Sequence, residues 1–204
     1  MSTTTTTPTT PAASPEASRD TEPGGLSEGA AGADPGAELR SVARRLPTGV
    51  TVVTSGTGDA AHGMTVSSFT TLSLAPPLVS FSVRTGARIR GPIEATGAFV
   101  VNLLAAEQEP LARWFADPDR PTGAAGFHGG FPGGVRTAEA PGGGLLLSGA
   151  VGYFACRLDR LVEAGDHVIV IGAVDRCRTL RPAGVPALVF ADGGFHAPGP
   201  RLPG

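Results

Sequence analysis

The sequence predicts a mainly β domain, an antiparallel barrel that is closed or nearly closed, with a few short helices. Three observations lead there. Glycine (30) and proline (19) together exceed a fifth of the 204 residues, which favours many turns over long helices. Several short segments are β-branched or alternate apolar with small polar residues, and each is bounded by turn signals. Helical spacing is confined to stretches of about ten residues.

The elements follow in order. Leu39, Val42, Ala43 and Leu46 recur at helical spacing in Glu38–Leu46, so that segment reads as a helix, ended by Pro47 and Gly49. Val50 to Ser55 is β-branched, and Gly56-Thr57-Gly58-Asp59 turns the chain. A second strand is expected from His62 to Phe69, and a third, half-buried one from Leu78 to Val83 after Pro76-Pro77. A short helix over Ala87–Ala95, a strand over Phe99–Leu103 and a helix over Glu107–Phe115 come next. Asp117 to Gly144 is rich in glycine and proline without periodicity, which predicts a long loop, and loops of that length are usually functional or mobile. Strands resume at Leu145–Val151, Tyr153–Val162 and His167–Cys177, the last two flanking a Gly165-Asp166 hairpin turn. A final short strand, Ala187–Phe190, precedes Asp192-Gly193-Gly194.

Residues 1–36 are a separate block. Thr3 to Thr7 is followed by Pro8, Pro11 and Pro15, Leu26 is the one large apolar residue after Met1, and five acids face the single Arg19. Such a stretch buries too little surface to offset its chain entropy and is expected to be disordered. The folded domain is then 37–204. All 16 basic residues are arginine, the formal net charge is -2, and neither feature suggests a nucleic-acid partner. The longest apolar run, around Val168–Val174, is far too short for a bilayer-spanning helix, and no basic segment followed by an apolar stretch opens the chain. A cytoplasmic protein without membrane contact is expected. Cys156 and Cys177 fit neither a disulfide framework nor a zinc site; placed nearly symmetrically about Gly165-Asp166, they should lie on neighbouring strands as reduced thiols.

Several chemistries are excluded by pattern. The four histidines (His62, His128, His167, His196) are scattered without metal-ligand spacing. There is no Gly-x-Ser-x-Gly elbow, and Gly142-Gly143-Gly144 precedes a strand rather than a helix, which removes a dinucleotide fingerprint. What remains is Met64-Thr65-Val66-Ser67-Ser68-Phe69-Thr70-Thr71-Leu72-Ser73-Leu74-Ala75-Pro76-Pro77-Leu78. Its small hydroxyl residues allow a flat ligand to approach the backbone closely, with Ser and Thr bonding the ligand's edge. The same composition also suits an edge strand and a capped loop.

That stretch, with His62-Gly63 before it, resembles the flavin-binding segment of the short-chain flavin reductases, the reductase components of two-component flavin-dependent monooxygenases. Three further pieces match in order: Arg40 to Thr54 resembles the family's opening helix and first strand, Gly97 to Leu104 its central strand, and Gly165 to Gly172 its Gly-Asp-His hairpin. The likeness runs from about Arg40 to His196. It implies an antiparallel Greek-key split β-barrel, a homodimer, and NAD(P)H-dependent reduction of free FMN or FAD that supplies reduced flavin to a partner flavin-dependent monooxygenase. A flavin store or redox sensor without turnover is the alternative on the same barrel. Pyridoxamine-phosphate oxidase chemistry fits less well, because the Gly-Asp-His hairpin has no place there.

Carried over by position, the resemblance implies that Thr65, Val66, Ser67 and Ser68 line the isoalloxazine edge, and that Ser73 to Leu78 pack beside the ring or at the dimer contact. Arg84-Thr85-Gly86-Ala87-Arg88 corresponds to the phosphate-binding stretch, where Arg88 can donate two hydrogen bonds to one anion; a solvated arginine at a helix start is the plain alternative. His167 is the candidate for the nicotinamide contact. Phe127-His128 could border the site, and Phe195 could stack on cofactor. Two departures stand out: Ile89 replaces a frequent Ser or Thr, and Phe195-His196 stands where a Tyr-Arg pair is common.

Overall fold

The computed structural model describes residues 34–200. The expected disordered tail lies outside them except for its last three residues, of which Asp34 caps the first helix and Pro35 and Gly36 begin it. That helix, α1 (Pro35–Ala43), starts where Asp34 accepts a hydrogen bond from the Gly36 amide (2.9 Å) and proline takes the first helical position. It therefore begins earlier and ends sooner than the Glu38–Leu46 expectation. Its apolar stripe faces outward: Leu39, Val42 and Leu46 are each about two-thirds exposed.

The chain continues through β1 (Thr48–Gly49), β2 (Thr51–Ser55), β3 (His62–Val66), β4 (Thr70–Leu74) and β5 (Pro77–Arg84). The helix α2 (Arg90–Thr96) leads into β6 (Ala98–Leu103), and a short 3-10 turn leads into α3 (Glu109–Ala116). Gly97, with φ of 66°, ends α2 in the left-handed conformation that a side chain would strain. After the brief α4 (Ala125–His128) come β7 (Thr137–Glu139), β8 (Leu145–Leu147), the long pair β9 (Gly152–Ala164) and β10 (His167–Thr179), then β11 (Val189–Ala191) and β12 (Gly194–His196).

Seven strands form one antiparallel sheet in the order β3-β2-β6-β9-β10-β5-β4, and two small ribbons, β1-β11-β12 and β7-β8, flank it. The end strands β3 and β4 are consecutive in sequence. Between them the Ser68 hydroxyl donates to the Ser82 carbonyl (3.0 Å) and accepts from the Ser82 amide (2.9 Å), fastening the open seam. The result is the antiparallel split barrel of Greek-key order that the sequence predicts.

Strand β2 is buried along its whole length because both of its faces are covered. Val53 joins an inner core with Phe81, Val83, Ile89, Ile93, Phe99, Val101 and Val170. Val52 joins a second core under α3 with Leu104, Phe115, Phe127, Leu147 and Leu188. Ile89, which replaces a hydroxyl residue of the family pattern, plugs the inner core and is fully buried.

Three expectations need correcting. The strand expected over His62–Phe69 stops at Val66. The segment after it contains the edge strand that its composition suits: β4 is exposed and pairs with β5. Residues 117–144 are not structureless, since they contain α4 and β7 and bury Phe127 and Val135. The Leu145–Val151 strand is only β8, and β12 is an additional strand. The cysteines lie on neighbouring strands and are free, as expected, but a bulge between Val174 and Arg176 sets Cys156 opposite Val174 and Cys177 opposite Phe154. Burial, with Asp175 and Cys177 adding to it, pushes the Cys156 thiol up to about 12.

Candidate functional site

A cleft of about 520 Å³ opens where β3, β5, the turn before α2, the end of α3 and the start of β10 meet. Met64, Val83, Ala87 and Phe115 give it apolar walls, Arg84, Arg88 and Arg120 bring in guanidinium donors, and His62 and His167 add imidazoles. The chain folds this way for local reasons. Arg90 donates to the Thr85 carbonyl (2.8 Å) and pairs with Glu94 (3.0 Å), holding the 85–90 turn so that Arg88 projects into the cleft. Gly63 is required by close approach: a Cβ there would stand 2.5 Å from Cε1 of Phe115 and 3.3 Å from Cζ of Phe127.

His167 heads β10 and is the direct ladder partner of Arg84 on β5. Its Nδ1 lies 2.7 Å from Oδ1 of Asp166, and this hydrogen bond, then the imidazole charge, holds the Asp166 carboxyl below its ordinary range. A carboxylate can only accept, so Nδ1 carries the proton. In the neutral ring, Nε2 is then an acceptor.

Opposite, His62 is 8% exposed. Burial, followed by the charges of Arg120 and Arg88, lowers its pKa to about 4 from 6.5. Between those two values the unfolded chain binds a proton that the folded chain refuses, so folding weakens as pH falls through this window. The protein is expected to lose up to about 3 kcal/mol there, and His62→Gln should remove most of the loss. Urea titrations of both proteins at pH 7 and near pH 4 check this, and an unchanged pH slope in the variant would disprove it.

Of the residues expected from sequence, the cleft unites Arg84, Ala87, Arg88 and His167. Thr65, Val66, Ser67, Ser68 and Ser73 are not among its lining residues. The Thr65 hydroxyl donates to the Ala112 carbonyl (2.7 Å), Val66 is in the inner core, Ser68 fastens the seam, and Ser73 sits on β4 beside Leu78. On β3 it is the first half, His62 to Met64, that lines the cleft, while Val66 at its other end packs into the inner core. Phe127 is fully buried against Phe115 (5.2 Å between ring centres), behind the cleft wall rather than in it. Phe195 packs on Phe190 (5.3 Å) and lies 5.0 Å under the Arg113 guanidinium, away from the cleft. His62, Met64, Ser82, Phe115, Asp117 and Arg120 also line it without any local motif to announce them, though His62-Gly63 stands just before the singled-out segment. Among the described residues no cluster of His, Cys, Asp and Glu could hold a metal, and no helix is long and apolar enough to cross a membrane.

The cleft's frame is shared with known proteins. Residues 43–199 match the family model described as a flavin reductase like domain. An NADH-dependent FMN reductase of Streptomyces nodosus subsp. asukaensis is 40% identical over 156 residues, covering 76% of this chain and 82% of that protein. Among solved structures, the flavin reductase component of a bacterial two-component tryptophan halogenase superposes with a TM-score of 0.71 at 36% identity, covering 81% and 99% of the two chains. A Streptomyces globisporus NADH:FAD oxidoreductase, solved with NAD and FAD fragments, gives 0.72 at 36% identity, covering 81% and 94%. Every strand of the barrel and every wall of the cleft falls within the matched span, and the chain belongs to the flavin reductase-like family.

Proposed function

We propose that the chain is an NAD(P)H-dependent flavin reductase that takes up FMN or FAD and supplies reduced flavin to a partner flavin-dependent monooxygenase. The observation that carries this reading is the cleft itself: apolar walls wide enough for a flat ring, with Arg84 and Arg88 free of carboxylate partners at its mouth among the described residues. Those residues fit a flavin with its phosphate. The relatives' printed activities and the halogenase component support the reaction and the partner class. When both are bound, the nicotinamide gives up a hydride and the flavin accepts it.

The chain's own residues then do three things. Arg88 donates to the phosphate, and the backbone of Thr65 to Ser68 borders the ring's edge. His167, with Nδ1 committed to Asp166, accepts the carboxamide N–H of the nicotinamide at Nε2. No strong acid or base is needed, because holding two rings face to face is the main contribution of the protein. The exposed Leu72 and Leu74 of β4, half and 91% exposed, together with the outward stripe of α1, support a homodimer. The two free thiols suit the reducing cytoplasm.

Mixing the protein with NADH or NADPH and FMN or FAD in air tests the reading. Continuous loss of reduced nicotinamide over many turnovers is expected; bleaching of one bound flavin per chain, without turnover, would leave a flavin-binding protein instead. Within this reading His167→Ala should raise the nicotinamide KM about two- to tenfold, the worth of one neutral hydrogen bond, with less change in flavin KM. Steady-state kinetics with an unaltered nicotinamide KM would remove His167 from the site.

A further inference from the structure

Arg120 is 4% exposed, the one arginine among the described residues that is buried. Arginine is almost never buried to this degree without a counter-charge. Yet no carboxylate lies within ion-pair distance of it, or of Arg84 or Arg88, among the described residues. Its Nη2 donates to the Gly63 carbonyl, its Nε is sealed off without a partner, and Nη1 makes no hydrogen bond. The Phe115 ring, 4.8 Å from Cζ, compensates in part.

The second observation is the company Arg120 keeps. Arg88 donates to the Pro118 carbonyl, two residues before Arg120, so the 117–120 segment draws both guanidiniums to one end of the cleft. Burial and then Arg88 lower the proton affinity of Arg120, while Asp117, whose Oδ1 accepts from the Asp119 amide, partly restores it. His62 between them is held neutral and adds no charge of its own near pH 7. Two like charges face one cavity with nothing anionic bonded to either.

We propose that Arg120 is the inner half of a two-guanidinium seat for a phosphate ester, with Arg88 as the outer half. This rests on the flavin reductase reading and extends it from the exposed Arg88 to a buried cation that no local motif marks. A phosphate drawn in between the two supplies the missing counter-charge, and Arg120 holds the Gly63 carbonyl at the start of the flavin-side strand as it does so. The phosphate can be that of the flavin or that of the dinucleotide.

Steady-state kinetics of the full chain with riboflavin, which lacks phosphate, and with FMN separates the cases. In Arg120→Met the preference for FMN over riboflavin, as the ratio of kcat/KM values, is expected to fall at least about tenfold, the worth of a charge-assisted bond; Arg120→Lys should restore part of it. If the ratio holds but the KM for NADH, measured with riboflavin, rises about tenfold instead, the seat exists and takes the dinucleotide's phosphate. Equal losses with both flavins and no change in NADH KM would show that Arg120 acts only through Gly63 and would overturn the proposal. Arg88→Ala is the separate control. If it alone collapses the preference, the flavin reading stands and the inner seat fails; if it leaves both the preference and the NADH KM intact, the phosphate reading of the whole cleft end fails. Should Arg120→Met not fold, inorganic pyrophosphate at constant ionic strength gives the second measure. It should raise the melting temperature of the wild type clearly more than that of Arg120→Lys, and equal or absent effects in the two would overturn the seat.

Discussion

Phe99→Ala is expected to cost about 3–5 kcal/mol. The ring is fully buried and meets Phe81 edge-on, with ring centres 5.3 Å apart at 79°. Its neighbour across the barrel is Gly172, where any Cβ would overlap the ring, so the barrel wall has been hollowed to take this side chain. Nothing nearby can expand into the vacated volume: Val53, Val101 and Val170 are β-branched and sit on paired strands. In a domain of this size the loss lowers the melting temperature by roughly 10 °C. Urea unfolding with an unchanged slope and a shifted midpoint measures it. A loss below about 1 kcal/mol would mean that the core collapses around the gap.

Asn102→Leu should cost about 3 kcal/mol even though the two side chains are similar in size. The amide of Asn102 donates to the carbonyls of Val52 (3.2 Å) and Leu145 (3.1 Å) and accepts from the Leu147 amide (2.9 Å). Thr54 completes the arrangement, donating to the Leu145 carbonyl (2.6 Å) and accepting from its amide (3.0 Å). These bonds hold β8 against the barrel, and a leucine strands buried backbone groups that no solvent reaches. Thr54→Val removes partners from the same Leu145. The double variant should therefore lose clearly less or more than the sum of the singles, while strict additivity would show that the two grips are independent.

Much of this architecture can be read from the residues, and the failures have physical causes. Gly165-Asp166 between two apolar runs specifies the β9–β10 hairpin because the turn and the alternation agree. The sequence leaves Thr70–Leu74 open between edge strand and capped loop because an edge strand needs only one partner and keeps an exposed face, so its pattern carries little burial signal. The stripe on α1 correctly announces a helix, but periodicity names a face and not what covers it. Thr65 to Ser68 follow the cleft-lining Met64 in sequence but do not line the cleft, and the Thr65 and Ser68 hydroxyls are spent on Ala112 and Ser82, a choice made by strands and helices distant in sequence. Arg120 reaches Gly63 from 57 residues away, and no local window contains that contact.

The ladder that sets Arg84 beside His167 turns the cleft's rim into a matter of counting. Seven consecutive pairs between β5 and β10 measure off both side chains from the same backbone. One residue added at Gly165-Asp166 and accommodated by a shift in that pairing would leave strands of nearly the same length and stability. It would nevertheless send the imidazole to the opposite face, since the pleat repeats every two residues. With His167 at the nicotinamide as proposed, a change in cofactor preference along this edge is expected from side chains replaced at constant register, whereas an insertion at the turn is expected to remove the imidazole from the cleft.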